Sequence, residues 1–127
     1  GEFVIANAAM GEHRRCLASY SADGSARRVL LPVSPGIHPS LDSRGRTVLG
    51  DRVSGPDAPV GSIALHDLAD EQCRIVAAGP KGDCEHQTGC HLHPQWSRDG
   101  ARALFNHDAT GRPQLYAVAV ADPPAGA

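Results

Sequence analysis

The chain has few aromatic residues, no long hydrophobic run and no excess of basic charge. Phe, Trp and Tyr make up 4% of its 127 residues, so a core must be built mainly from smaller aliphatic side chains, which bury less area each. No apolar run approaches the roughly 20 residues of a membrane span. Basic side chains number 12 against 14 acidic ones. A single globular domain with a thin core is predicted, with neither nucleic acid nor a membrane as partner.

The sequence also lacks the spacing of an amphipathic helix. No segment sustains an apolar i, i+3, i+4, i+7 stripe over three turns, and 14 Gly and 10 Pro interrupt most windows of that length. Short runs with period-two alternation are instead separated by Asp-Gly, Arg-Gly, Ser-Gly or Thr-Gly turns, which predicts an all-β fold. Ten strands are expected, near residues 3–9, 14–20, 26–31, 38–41, 46–51, 61–67, 72–77, 93–96, 101–106 and 114–120.

An internal repeat organises these strands. The segment that begins at His38-Pro39 recurs 55 residues later, beginning at His93-Pro94, with a shared Gly at the turn and Leu in the next strand. Residues 62–70 correspond to 114–122, and 17–24 is a weaker relative. Similarity at such a period is typical of propellers and solenoids. The ten strands then divide into three, four and three, or about two and a half four-stranded propeller blades.

Potential metal ligands are concentrated in the long polar loop predicted over residues 78–92 and just after it. Cys84, His86, Gln87, Cys90, His91 and His93 lie within ten residues. If His91 and His93 share a strand, their i, i+2 spacing directs both imidazoles to one face, as two ligands of one metal require. Imidazole suits divalent Mn, Fe, Ni or Zn, and the residues do not choose among them.

Other uses of this loop stay open at the level of the sequence. The histidines can hydrogen-bond to backbone, Cys84 and Cys90 can join them in a structural zinc site, or the two cysteines can form a disulfide. The spacing of the cysteines does not match the usual zinc pattern. Cys16 and Cys73 are expected to be buried thiols. His66 and His107 are expected at the surface and receive no role.

One blade carries a family resemblance. The stretch Trp96-Ser97-Arg98-Asp99-Gly100, followed by a strand, a turn and Leu115-Tyr116, resembles the W-S-x-D-G and L-Y pattern of TolB-type β-propellers. Just before it, His91-Leu92-His93-Pro94 resembles the H-x-H-P segment of oligogalacturonate lyases. Those enzymes are seven-bladed propellers that cleave pectin fragments by β-elimination, using a divalent metal that is usually manganese.

This resemblance implies a metal site and a substrate class. His91 and His93 match the histidine pair of the lyases, and His38 stands where a more distant histidine ligand is expected. Gln87 is the candidate fourth ligand, four residues before His91. The implied metal is manganese, with zinc, nickel or iron as alternatives, and the implied partner is an oligogalacturonide or related acidic sugar. No catalytic base is assigned. The alternative function is a TolB-like propeller module that binds protein or carbohydrate without chemistry.

The predicted domain organisation is a partial ring. Residues 1–3 resemble a cloning scar, residues 4–122 form the blades with repeat heads at 38 and 93, and residues 123–127 form a flexible tail. Propellers close with four to eight blades, so this chain alone cannot complete one. We therefore expect either self-association or missing upstream blades to cover the open faces. The compartment, cytoplasm or periplasm of a bacterium, is left open.

Overall fold

The computed structural model describes residues 3–53, 60–80 and 91–120, and throughout these ranges the chain is all-β. Its ten strands are β1 (Phe3–Met10), β2 (His13–Ser21), β3 (Arg27–Leu31), β4 (Ser40–Leu41), β5 (Thr47–Val53), β6 (Val60–Asp67), β7 (Cys73–Pro80), β8 (Gln95–Trp96), β9 (Arg102–His107) and β10 (Gln114–Ala119). The described ranges contain no helix that could cross a membrane.

The strands form three antiparallel sheets, in the orders β1-β2-β3, β4-β5-β6-β7 and β8-β9-β10. The predicted division into three, four and three strands is therefore confirmed. The repeat is visible in the turns, because Gly45 and Gly100 stand 55 residues apart and both have positive φ, 68° and 72°. Each donates its N–H to a carbonyl three residues earlier, that of Asp42 or Ser97. Glycine adopts this conformation without the steric cost that a side chain brings.

The second sheet lies between the other two and contributes to both hydrophobic cores. Successive residues of a strand point to opposite faces, so Val48 and Leu49 in β5 serve different sides. Val48 packs with Leu17 and Leu31 of the first sheet. Leu49 belongs to the cluster shared with the third sheet, which contains Leu49, Ile63, Leu65, Leu92 and Ala103. Large hydrophobic side chains remain exposed elsewhere, at Phe3, Val4, Val33, Ile37, Ile75 and Leu115.

The strand bounds differ from the prediction by one to three residues, and three of the differences concern the histidines and the predicted long loop. The strands predicted over 38–41 and 93–96 begin only at Ser40 and Gln95, so His38 and His93 lie outside the ladders. A proline follows each histidine, and proline has no N–H to donate to a ladder. At the outer edge of the second sheet, the strand predicted over 72–77 continues to Pro80. Residues 78–80, predicted to belong to the long loop, therefore lie in β7.

The predicted burial of three side chains is wrong. His66 and His107 were expected at the surface, yet they are only 7% and 6% exposed. His66 lies in β6 of the central sheet, which is covered on both sides, and the ring of His107 at the end of β9 packs over Gly79 of β7. Cys73 was expected to be buried, but it is exposed because it begins the outer-edge strand β7. Cys16 is buried as predicted.

Several predictions fall on residues that the structure does not describe. They concern Gln87 as a metal ligand, Cys84 and Cys90 as a disulfide or zinc site, residues 1 and 2 of the cloning scar, and the tail at 123–127. Phe3, predicted to be the last residue of the scar, is the first residue of β1.

Candidate metal centre

Three histidines converge at the junction of the second and third sheets. One ring nitrogen from each of His38, His91 and His93 lies within 4.8 Å of the other two. The rings of His38 and His93 are stacked, with centroids 3.6 Å apart, and the ring of His91 meets that of His38 edge-on at 5.5 Å. Within the described ranges, this is the one cluster of three potential metal-ligating side chains. The structure thus brings together three of the four predicted ligands.

The repeat explains why His38 and His93 meet. Each histidine stands two residues before the short first strand of its sheet, β4 or β8. These two strands are neighbours in space, and the Trp96 indole N–H of β8 donates to the Ser40 carbonyl of β4 at 3.2 Å. Equivalent positions in two adjacent repeats therefore approach each other. A site built this way contains side chains more than 50 residues apart in sequence.

His91 and His93 reach the cluster by a route that differs from the prediction. They do not lie on a strand face, since β8 starts at Gln95. Leu92 between them is buried in the core, and its carbonyl accepts the N–H of Asn106 at 2.8 Å. His93 then adopts a left-handed backbone conformation, with φ at 43°, which is uncommon for a residue with a side chain. Strain of this kind is concentrated at functional sites.

The position of His38 is fixed by Asp51, a buried carboxylate in β5. Its Oδ1 accepts the backbone N–H of His38 at 2.8 Å, and its Oδ2 lies 2.7 Å from the ring Nδ1 of His38. The approach is possible because two glycines remove side chains from the contact. A Cβ on Gly50 would lie 2.0 Å from the Pro35 carbonyl oxygen, and one on Gly36 would lie 2.2 Å from the Asp51 carbonyl oxygen. The segment before His38 therefore lies directly against β5.

The first sheet also supports this segment. The side-chain amide of Asn7 in β1 donates to the carbonyls of Gly36 and Ile37, at 2.7 and 3.1 Å. These are the two residues that precede His38. All three sheets thus contribute to the centre: the first holds the backbone, the second supplies Asp51, and the third anchors Leu92.

The electrostatics of the cluster favour a neutral imidazole at His93. Partial burial of the His93 ring lowers its pKa below the ordinary value of 6.5, and the charge that His38 would carry lowers this pKa further. Asp51 acts in the opposite direction and His91 adds a smaller lowering effect. A neutral imidazole keeps the lone pair that a metal needs. His93 is therefore ready to act as a ligand at neutral pH.

The geometry of the cluster fits a divalent metal ion. Two imidazole nitrogens bound to one ion at about 2.1 Å each lie at most about 4.2 Å apart, so the observed separations require only small ring movements. Three imidazoles leave further coordination positions for water or substrate, as in catalytic rather than structural sites. Nitrogen ligands of this kind suit Mn, Fe, Ni or Zn.

Sequence reasoning missed Asp51 as part of the centre. A signal was available in the repeat, since the residue 55 positions later is Asn106, which places a polar side chain at the same point of β5 and β9.

The sequence also gave no role to His107, whose Nδ1 accepts the N–H of Ala109 at 2.8 Å. His107 lines a mostly apolar cavity of about 160 Å³ between the second and third sheets, together with Phe105 and Tyr116.

The comparison with solved structures shows the fold. No protein-family model and no curated protein matches the sequence. Among solved structures, TolB from Acinetobacter baumannii superposes on 82% of this chain with a TM-score of 0.58 and 20% identity. The fold is that of TolB-type propeller blades. An oligogalacturonate lyase in complex with manganese matches 85% of the chain at 0.62 and 21% identity, and one from Vibrio parahaemolyticus matches 88% at 0.65 and 16% identity.

The three sheets are therefore propeller blades, and the chain is a partial propeller. It spans 24% of the TolB chain and 29% and 31% of the two lyase chains. The second sheet is a complete four-stranded blade, with β4 as its first strand. The histidine cluster lies where the first strands of two adjacent blades come together.

Proposed function

We propose that this chain is a propeller segment of an oligogalacturonate-lyase-like protein, and that His38, His91 and His93 bind a divalent metal for β-elimination of an acidic sugar. The convergence of three imidazoles from two adjacent blades carries the proposal. The manganese named with one structural neighbour supports the choice of metal. Gln87 remains the proposed fourth ligand.

The chemistry sets what each group would do. A bound divalent cation supplies positive charge that stabilises the enolate formed when a uronide loses the proton next to its carboxylate. The three histidines would hold the ion through their ring nitrogens, and they leave one side of the centre open among the described residues, since His91 and His93 are exposed. The substrate would be an oligogalacturonide or a related acidic sugar.

A second candidate is a TolB-like propeller module that binds protein or carbohydrate without chemistry. Asp51 favours it, because this carboxylate, the one in contact with the cluster among the described residues, already hydrogen-bonds to His38 through both oxygens. Asp51 is also only 2% exposed, so it is not placed within reach of a substrate proton. Metal binding separates the two candidates, since only the first requires it.

Calorimetric titration of the metal-free protein with Mn²⁺ or Zn²⁺ tests the proposal. We expect one ion per chain, and a loss of affinity well over tenfold for His38→Ala and for His91→Ala, because each removes one of three ligands. His13→Ala is the matched control, since His13 begins β2 away from the cluster. Absence of stoichiometric binding, or equal small effects of all three substitutions, would contradict the metal site and favour the non-catalytic module.

A further inference from the structure

Asp51 makes contacts that go beyond support of the backbone. The carboxylate is 2% exposed, and its two oxygens accept from two different donors of one residue, the main-chain N–H and the ring Nδ1 of His38. A carboxylate has no hydrogen to donate, so the Nδ1 of His38 must carry the proton in this pair. The neutral ring then has its lone pair on Nε2. That is the nitrogen left for a ligand.

The equivalent positions of the other two blades carry an amide in place of the carboxylate. Asn7 pairs with Leu17 in the first blade, and Asp51 pairs with Ile63 in the second. Each partner stands four residues before the turn that ends its strand, at Ser21 or Asp67, so Asn7 and Asp51 occupy equivalent positions. Asn7 donates to two backbone carbonyls at this point. The third blade has Asn106 at the repeat spacing. Of the three blades, only the second, which begins after His38, has a carboxylate at this position.

We infer that Asp51 is a positioning residue that fixes the tautomer of His38, holding the proton on Nδ1 so that Nε2 can bind the metal. This inference rests on the proposed metal site. An Asn at 51 has one accepting oxygen and one donating amide. Because the backbone N–H of His38 can only donate, the oxygen would stay on it and the amide would face Nδ1. The ring proton would then move to Nε2, where it blocks the lone pair.

The tautomer can be measured without any metal. In ¹⁵N-labelled, metal-free protein above pH 8, long-range ¹H–¹⁵N spectra distinguish the two ring nitrogens. We expect the His38 proton on Nδ1 in the wild type and on Nε2 in Asp51→Asn. Titration with Mn²⁺ or Zn²⁺ should then show about 10- to 100-fold weaker binding for Asp51→Asn, the usual effect of removing a partner that orients a ligand.

Asp42→Asn is the matched control. Asp42 belongs to the same blade and its Oδ1 accepts two backbone N–H groups, those of Arg46 and Thr47, but it does not touch the histidines. We expect this variant to keep the wild-type tautomer and metal affinity. An equal loss of affinity in both variants would show that Asp51 acts only through general stability, and would overturn the inference.

The remaining outcomes are also decisive. A wild-type His38 protonated on Nε2, or an Asp51→Asn variant that leaves the proton on Nδ1, would overturn the inference. If Asp51→Asn does not fold, the wild-type spectrum decides alone. If the tautomer switches as expected but the wild type binds no metal, the proposed function fails while the control of the tautomer by Asp51 stands.

Discussion

Replacing Gly50 by Ala tests how closely the segment before His38 must lie against β5. A Cβ at position 50 would lie 2.0 Å from the Pro35 carbonyl oxygen and 2.6 Å from its carbon, well under the 3.0 Å that such contacts allow. The obstacle is main chain, so no side-chain rotation relieves it. The segment that contains Pro35 and strand β5 must therefore separate by at least about 1 Å.

That separation has a predictable energetic cost. The contacts of Asp51 to His38, at 2.7 and 2.8 Å, would lengthen beyond hydrogen-bonding distance. A hydrogen bond to a charged group contributes about 1.5–3 kcal/mol, and overpacking costs typically 1–3 kcal/mol. Since the loop can relax part of the way, we expect Gly50→Ala to lower the free energy of unfolding by about 2–4 kcal/mol. It should also weaken metal binding.

Urea unfolding followed by far-UV circular dichroism and by fluorescence of Trp96 measures this cost. Trp96 is the single tryptophan and hydrogen-bonds across the two blades, so its emission reports on the affected junction. Gly45→Ala is the control, because no atom beyond its two chain neighbours lies within 4 Å of the added Cβ, and the φ of 68° is the unfavourable feature. We expect about 1 kcal/mol there. Equal destabilisation of the two variants would refute the argument for close backbone contact.

Two further predictions concern His93. Both His93→Ala and His93→Gly remove the imidazole, but only Gly adopts the φ of 43° without strain. The Gly variant should therefore be more stable than the Ala variant by about 0.5–1 kcal/mol in urea unfolding, while both bind metal equally weakly. A more stable Ala variant would contradict the strained backbone. Because the folded state lowers the pKa of His93, the unfolded chain takes up the proton first as pH falls below about 6.5. Stability should therefore decline between pH 7.5 and 5.5 more steeply in the wild type than in His93→Gln, and parallel profiles would show that His93 does not titrate in this way.

The sequence predicted the strands well because their signals are local. Alternation of apolar residues and glycine turns such as Gly45 and Gly100 depend only on neighbouring residues, and both turns form as expected. The repeat predicted that His38 and His93 occupy equivalent positions. The family resemblance then indicated that they share a site with His91.

What the sequence could not predict depends on contacts between distant segments. His107 is buried because a neighbouring strand offers Gly79 beneath its ring, a pairing of residues from two blades that no local pattern shows. The predicted strand face for His91 and His93 was wrong because the anchored Leu92 and the left-handed backbone of His93 replace it. Asp51 was missed because the repeat marks its position only by a polar residue, Asn106 in the next copy, and its partner His38 precedes it by 13 residues.

The location of the centre at a junction between repeats has a consequence for how the protein folds. In repeat proteins, stability is approximately a sum of terms for each unit and terms for each boundary between units. An ion held by His38 from one blade and by His91 and His93 from the approach to the next would strengthen only the boundary term. Two units that could otherwise open separately would then unfold as one. A metal at this position would therefore act as a cooperativity device, and its removal would separate one unfolding transition into two.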